Sequence, residues 1–341
     1  MFRSGDEQAL LNCCGVNHEV FNELLELFEP EYDTYTYDVD TGIIRKLKIK
    51  TGRKRELDAI GCLGLLLYWY QTRGSAARGR IGWAFGVTST PMYKWLRFAR
   101  RIMLSVLQTH PLAEVRLPTA DEVEIYVDAI AAKYPALGEH RVWGACDGLK
   151  LPFEKSCNWL IQNNFYNGWT TGTFINSVLL FAPDGKIRAA VYNANGCWHD
   201  STISDYGLYD KMEKVFDDFN ARVVVDSAFH RQSKDFLIKS GQQDSDTPRD
   251  VLLNNAATSC RQLSEWGMRQ IQGGFPRLKD NMSLEKFGER KVILNLAILL
   301  YNYQTSRVQI NTILNTFMSE TKGFFSYELI PNDTANDFFD A

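Results

Sequence analysis

Two aspartates in apolar surroundings are the residues best suited to chemistry in this sequence. Asp147 interrupts the apolar run over residues 141–151, directly before Gly148, and Asp226 ends a run of three valines. A buried carboxylate without a partner is unfavourable, and the glycine leaves room for something bulky to approach the backbone. If the two runs are neighbouring strands, both carboxylates emerge near one edge of a sheet.

Such a pair could bind divalent metal ions. A third acid on a packed helix would complete an oxygen-rich site for two Mg²⁺ ions roughly 4 Å apart. Two ions so placed can activate a water on one side of a phosphorus atom and stabilise the leaving oxygen on the other. Residue types and spacing leave a simpler alternative open, in which Asp226 is a turn or cap residue after a strand and Asp147 is a turn aspartate before a glycine.

The segments around these aspartates are predicted to form a sheet with a helical crossover. Strands are predicted over residues 141–151, 173–182, 186–192 and 222–225. A turn joins the second strand to the third, and a helix from Asp200 to about residue 216 joins the third to the fourth. Two hairpin strands beside a first strand, followed by a crossover to a fourth, predict an α/β fold with a sheet of mixed direction. Helices are predicted to follow over residues 254–271 and 283–303.

The region before the sheet has helical spacing. Apolar positions predict helices over residues 57–70 and 75–85, and a third that starts with Thr90 as N-cap and Pro91 in its first position. These three short helices are typical of a helix-turn-helix unit and equally of a plain helical bundle with a basic face. That face would carry Lys94, Arg97, Arg100 and Arg101.

Bulk composition restricts the class of protein. The 341 residues are 45% hydrophobic and 23% charged, with a formal net charge of −3, so any surface for nucleic acid must come from local basic clusters. Seven cysteines, an odd number without a C-x-x-C pair, predict reduced thiols. The apolar stretches are too short to span a bilayer, and the N-terminus lacks the apolar core of a signal peptide. We therefore expect a soluble intracellular protein without a membrane partner.

Short segments, taken in order, resemble the PIF/Harbinger superfamily of DDE transposases and their domesticated nuclease relatives. They are ACDG at 145–148, NGCWHDS at 195–201, VDSAF at 225–229, RQLSEWGMR at 261–269 and FPRLK at 275–279. The family has an Asp-Gly on its first strand, a His-Asp-Ser, an Asp-Ser-Gly-Tyr-like motif and an Arg-x-x-x-Glu block followed by Phe-Gly-x-Leu-Lys. Here Ala228 and Phe229 stand where Gly and Tyr are usual, and Trp266 replaces an expected basic residue. The resemblance covers roughly residues 55–315.

The resemblance implies an RNase H-like fold, in which a mixed sheet is flanked by helices and carries the catalytic acids. Asp200 and Asp226 compete for the second catalytic position. In an RNase H-like sheet the second acid ends the fourth strand, beside the first, and this favours Asp226. Asp200 opens the preceding helix, where its side chain can cap the N-terminus. His199 and Asp200 remain auxiliary candidates near the site.

The third acid is Glu265 by resemblance. Asp147, Asp226 and Glu265 would then be both the catalytic residues and the ligands of two Mg²⁺ or Mn²⁺ ions. Glu285 and Glu289 are alternatives, although a glutamate in the first turn of a helix more often only faces the helix dipole.

Two arginines flank Glu265. Arg261 and Arg269 lie at i−4 and i+4, which indicates salt bridges along one helix. The functional interpretation is contact with DNA phosphates at the cleft.

The resemblance also implies an organisation. It favours the helix-turn-helix interpretation, because the family carries such a unit ahead of its catalytic core. We expect an N-terminal segment (1–55), a helical, helix-turn-helix-like DNA-binding region (56–137), an RNase H-like catalytic domain (138–315) and an acidic C-terminal tail (316–341). A helix over residues 120–134, opened by a capping box of Thr119 and Glu122, closes the second region.

The implied function is that of a nuclear, metal-dependent DNA endonuclease or transposase. Such an enzyme is a hydrolase that cuts a phosphodiester bond at terminal inverted repeats and transfers the freed 3′-hydroxyl to target DNA, which is DNA recombination by transposition. The family often works with a separate Myb-like DNA-binding partner protein, and we also expect a homo-oligomer on double-stranded DNA. The alternative is a domesticated, catalytically silent DNA- or protein-binding module.

Overall fold

A computed structural model describes residues 6–38, 44–47, 55–74, 77–229, 234–241, 247–282 and 287–318, without the side chains of residues 77 and 78. The helices are α1 (Glu7–Cys14), α2 (His18–Thr34), α3 (Ala59–Gln71), α4 (Ala77–Phe85), α5 (Ser89–Gln108), α6 (Ala120–Lys133), α7 (Trp159–Phe165), α8 (Asp200–Ser204), α9 (Leu208–Phe219), α10 (Pro248–Cys260), α11 (Gln262–Gly274), α12 (Phe287–Val308) and α13 (Thr312–Phe317). The strands are β1 (Tyr35–Tyr37), β2 (Ile44–Lys46), β3 (Val142–Pro152), β4 (Tyr166–Asn167), β5 (Gly172–Phe181), β6 (Ile187–Asn195), β7 (Arg222–Val225) and β8 (Leu237–Lys239). Glu285 and the tail from residue 319 onward lie outside the described residues.

The main sheet is centred on β3. This strand pairs antiparallel with β5 on one side and parallel with β7 on the other. β6 extends the sheet antiparallel to β5, and β8 extends it parallel to β7. The mixed α/β sheet is therefore confirmed, and so is the predicted adjacency of the strands that lead to Asp147 and Asp226.

Helices cover the sheet. α6 and α11 pack against β3, α12 packs against β6, and α9 packs against β6 and β7. β5 is buried along almost its whole length, which requires cover on both faces and explains its continuous apolar run. The first half of β3 is buried in the same way, and its burial is interrupted at Asp147.

The N-terminal helices share their core with the sheet. α3 is apolar on most of its surface because α1, α2 and α5 all pack around it, and α12 lies along α5. Leu66 of α3, Met103 of α5, Leu300 of α12 and Val178 of β5 belong to one buried cluster. The position of the sheet is therefore tied to the helical region by continuous apolar packing.

A buried ionic cluster fixes α6 to the turn between β5 and β6. Arg188, only 2% exposed, lies 2.5 Å from Asp184 Oδ2 and 3.1 Å from Glu122 Oε1. Glu122 also accepts from Arg116 at 2.6 Å and belongs to the predicted capping box, which is confirmed. The cluster satisfies charges that would be unfavourable alone in the interior.

Three predicted helix boundaries are wrong. α5 begins at Ser89 with Thr88 as N-cap, so Thr90 lies inside its first turn, and the helix is 20 residues long rather than short. The helix predicted from Asp200 to residue 216 is two helices, because the chain turns at Gly207 with φ 90°. The helical region 254–271 is likewise divided at Arg261 into α10 and α11. Among the described residues, no helix is long and apolar enough to cross a membrane.

Candidate active site

Asp147 and Asp226 lie side by side at one edge of the sheet. In the parallel pairing of β3 with β7, Ala145 is opposite Val224. Asp147 and Asp226 are each two residues further along, so the two-residue repeat of a strand places them on the same face. Each carboxylate accepts a hydrogen bond from the backbone N–H of the next residue, at 2.8 Å and 2.9 Å respectively. The structure thus brings together the two aspartates that the sequence singles out.

Asp200 of α8 contacts the residue that follows Asp147 on β3. Its carboxylate lies directly against the backbone of Gly148, where a Cβ atom would overlap both carboxylate oxygens. The N-cap of α8 is His199, which makes no side-chain capping bond, and Asp200 is the first residue of the helix. The prediction that Asp200 caps the helix is therefore wrong, since its carboxylate lies against Gly148 instead.

Burial raises the pKa of the Asp147 carboxyl. A backbone hydrogen bond and the positive charge of Arg261 oppose this rise, whereas the negative charges of Asp226 and Glu265 add to it. A cation closer to Asp147 would therefore stabilise its ionised form.

The pKa of Asp200 is raised further, to about 6. Burial is the main cause, and the charges of Asp147 and Asp226 add to it, while Lys150 and His199 oppose it. Electrostatic coupling therefore joins Asp200 to the other two aspartates, and His199 is close enough to contribute.

Arg261 bridges two of the predicted catalytic acids. Its Nη1 lies 2.6 Å from Asp226 Oδ1, and its Nη2 lies 3.1 Å from Glu265 Oε1. Arg269, whose side chain is 78% exposed, lies 4.0 Å from the other oxygen of Glu265. The predicted i,i+4 salt bridges are therefore present, and the bridge to Asp226 brings Glu265 of α11 to the edge of the sheet where the aspartates lie.

The predicted basic face of α5 is only partly exposed. Arg100 is 2% exposed, with its guanidinium 4.0 Å from the centre of an aromatic ring of α3, so its placement on a DNA-facing surface is wrong. Arg101 lies 2.6 Å from Glu289 of α12, so this arginine and the alternative third acid form an ion pair with each other. Lys94 is exposed and Arg97 is half-buried.

The carboxylates suit a divalent cation in their chemistry. Asp147, Asp200 and Asp226 offer hard anionic oxygens, the ligands that Mg²⁺ and Mn²⁺ prefer, and their mutual repulsion is the kind that a cation relieves. In the part of the chain that the structure describes, no group of three or more acidic, histidine or cysteine side chains is spaced to hold a metal ion. The cation that contacts Asp226 in this structure is the guanidinium of Arg261.

Sequence reasoning missed two features of the site. One is Lys150, which acts on Asp200 and whose only signal is its position two residues beyond Gly148 on the same face of β3. The other is the contact between Arg261 and Asp226, for which no local pattern exists because the two residues lie far apart in sequence.

Comparison with known proteins places this site within a matched segment. Residues 146–302 match the family model described as DDE superfamily endonuclease. The segment runs from β3 into α12 and covers a little under half of the chain. It supports a nuclease of the DDE transposase type with DNA as substrate, and nucleases of this kind generally use divalent metals. Nothing matches among curated proteins or among solved structures.

Proposed function

We propose that this protein is a metal-dependent DNA endonuclease or transposase of PIF/Harbinger type with an RNase H-like catalytic domain. The observation that carries the proposal is the adjacency of Asp147 on β3 and Asp226 directly after β7, with the Asp200 carboxylate against the neighbouring Gly148, inside the segment that matches DDE endonucleases. The strand order β6-β5-β3-β7-β8, with β3, β7 and β8 parallel, supports the RNase H-like topology.

In this proposal the acidic side chains bind two Mg²⁺ or Mn²⁺ ions. Asp147 and Asp226 are the principal ligands, Glu265 is the third, and Asp200 supports Asp147. A divalent cation bound there supplies Lewis acidity for hydrolysis of the phosphodiester. The chain itself fixes the carboxylates through backbone hydrogen bonds, and the exposed Arg269 beside Glu265 is placed to contact a phosphate.

The helices before the sheet are proposed to bind DNA. α4 and α5 follow one another through a short connection, with Trp83 of α4 92% exposed and Lys94 of α5 exposed. Exposed cationic and aromatic side chains of this kind suit a DNA backbone. The family resemblance adds three parts to the proposal. The protein binds terminal inverted repeats and target DNA, it works with a Myb-like partner as a homo-oligomer, and it acts in the nucleus.

The proposal is tested by measuring the Mg²⁺-dependent nicking of duplex DNA that carries the terminal inverted repeat of the transposon. Asp147→Asn and Asp226→Asn should each lower the nicking rate by about a hundredfold or more, because an amide is a poor ligand for these ions. Asp210→Asn, on the exposed side of α9, is the matched control and should leave the rate unchanged. Full activity in both site variants would overturn the assignment.

A second function is favoured by one observation. Arg261 already neutralises Asp226 and Glu265, as would suit a domesticated, catalytically silent DNA- or protein-binding module. The two functions differ in metal binding. A protein that binds duplex DNA but takes up no Mn²⁺ at millimolar concentration would be the silent module.

A further inference from the structure

Arg261 is held firmly between the candidate ligands. Arg261 joins two helices, as the C-cap of α10 and the N-cap of α11, and its backbone is helical with φ −59° and ψ −24°. From this fixed backbone its two terminal nitrogens reach different acids, Asp226 and Glu265. Its side chain is 25% exposed, so the ion pairs are partly shielded from solvent and stronger than those of a surface arginine.

The same guanidinium is incompletely satisfied. Its Nε is buried and has no hydrogen-bond partner among the residues that the structure describes. A buried N–H without a partner is unfavourable, so part of the energy of the two ion pairs is offset. This makes displacement of the side chain from Asp226 easier than it would be for a fully bonded arginine.

A metal ion and this guanidinium would bind the same carboxylate. A divalent ion shared by Asp147 and Asp226 requires lone pairs of Asp226, and Arg261 Nη1 lies 2.6 Å from one of those oxygens. The positive charge of Arg261 also acts on Asp147. Two like charges a few ångströms apart repel each other by several kcal/mol at an effective dielectric constant of about 20. The ion and the guanidinium therefore cannot both bind Asp226 without a loss of binding free energy.

We propose that Arg261 is an internal counter-ion that takes the place of a divalent cation in the metal-free protein and must release Asp226 when the metal binds. This inference rests on the proposed metal-dependent function. After the release Arg261, the N-cap residue of α11, can still reach Oε1 of Glu265 four residues on, which leaves the other oxygen of that glutamate to the ion. Arg261 is thus a positioning residue with two opposed effects: it stabilises the metal-free site and weakens metal binding.

Those effects are measured together on the full chain without DNA. The Mn²⁺ dissociation constant is obtained by calorimetric titration and by electron paramagnetic resonance, and thermal unfolding is followed with EDTA and with Mn²⁺. Arg261→Gln should bind Mn²⁺ about tenfold more tightly than the wild type, since a full positive charge is removed from beside the ion. The same variant should unfold at a lower temperature than the wild type in EDTA and recover the difference in Mn²⁺.

Arg269→Gln is the matched control. Arg269 faces the same glutamate from the same helix but at 4.0 Å and 78% exposed, so solvent screens its charge and its loss should change the Mn²⁺ affinity by about twofold at most. Arg261→Lys, which keeps the charge and loses the two-pronged contact, should bind Mn²⁺ with an affinity between those of the wild type and Arg261→Gln. Adding Asp226→Asn to Arg261→Gln should abolish the gain, which assigns the ion to this site.

The outcomes separate the two proposals. Mn²⁺ binding in the wild type that is unchanged or weakened in Arg261→Gln overturns the counter-ion role and leaves the metal-dependent function standing. Absence of Mn²⁺ binding in both proteins overturns the proposed function as well. If Arg261→Gln does not fold, the Arg261→Lys titration decides, and an affinity equal to that of the wild type overturns the inference.

Discussion

The carboxylate of Asp200 rests on the backbone of Gly148, so closely that residue 148 has no room for a side chain. Two motifs that are about fifty residues apart in the printed sequence, the Asp-Gly on β3 and the His-Asp-Ser before α8, therefore form one structural unit. The glycine after Asp147 leaves room for the Asp200 carboxylate on the other face of β3, so the position of α8 is tied to the strand that carries Asp147.

Gly148→Ala should impair nicking while the protein stays folded. The added Cβ would displace the Asp200 carboxylate, which is the far end of a flexible side chain, so we expect a loss of about 1–2 kcal/mol in the free energy of unfolding and a larger effect on catalysis. Urea unfolding and the nicking rate measure the two effects. Gly138→Ala is the control, because its Cβ would meet Ala131 at an ordinary 3.6 Å. Unchanged nicking in Gly148→Ala would show that the position of Asp200 has no role in the reaction.

Asp200 should destabilise the metal-free protein at neutral pH. Burial first, and then the charge of Asp147, raise its pKa to about 6, so the folded state favours the protonated acid. The corresponding stability is complete below about pH 4, the ordinary range for aspartate, and is lost as the pH rises through about 6.

Asp200→Asn removes this pH dependence, because an amide does not ionise. We expect the free energy of unfolding in EDTA to rise by about 1–3 kcal/mol at about pH 7.5 and to change little at about pH 4. Urea unfolding at both pH values measures this, with Asp210→Asn on the exposed side of α9 as control. A variant that is less stable than the wild type at the higher pH would contradict the prediction.

Local patterns in the sequence predict a good part of this molecule. β7 has the predicted bounds, because a run of valines before an aspartate is a strong strand signal. The capping box at Thr119 is present, since it depends only on residues three apart. Asp147 and Asp226 are brought together as expected, because the parallel register of β3 and β7 sets these two positions opposite each other.

Tertiary contacts decide what the sequence does not predict. An aspartate at a helix start is explained locally by capping, so nothing local distinguishes Asp200 from an ordinary cap, and its contact with Gly148 depends on how α8 packs on the sheet. Arg100 lies at the margin of a polar helix face, where helical spacing cannot show that α3 covers it. Arg261 reaches Asp226 across the fold for the same reason.

The ionic cluster beneath α6 should matter more to stability than any ion pair on the surface. Arg188→Met would leave the charges of Asp184 and Glu122 buried with fewer partners, and we expect a loss of about 3–5 kcal/mol in the free energy of unfolding. Arg249→Gln is the control, because Arg249 and Glu139 pair with both side chains more than three-quarters exposed and should contribute less than about 1 kcal/mol. Urea unfolding that gives equal losses for the two variants would rule out a structural role for the cluster.

The proposed DNA surface of α5 makes a prediction about salt. Arg97→Gln and Lys94→Gln should each weaken binding to duplex DNA and lower the slope of log affinity against log salt concentration by about 1, because each removes one phosphate contact. Fluorescence anisotropy at several salt concentrations measures both quantities. Lys214→Gln removes one charge from the exposed side of α9, which packs on the sheet instead of the N-terminal helices, and should leave the slope unchanged. If all three variants give the slope of the wild type, α5 does not contact the DNA backbone through these side chains.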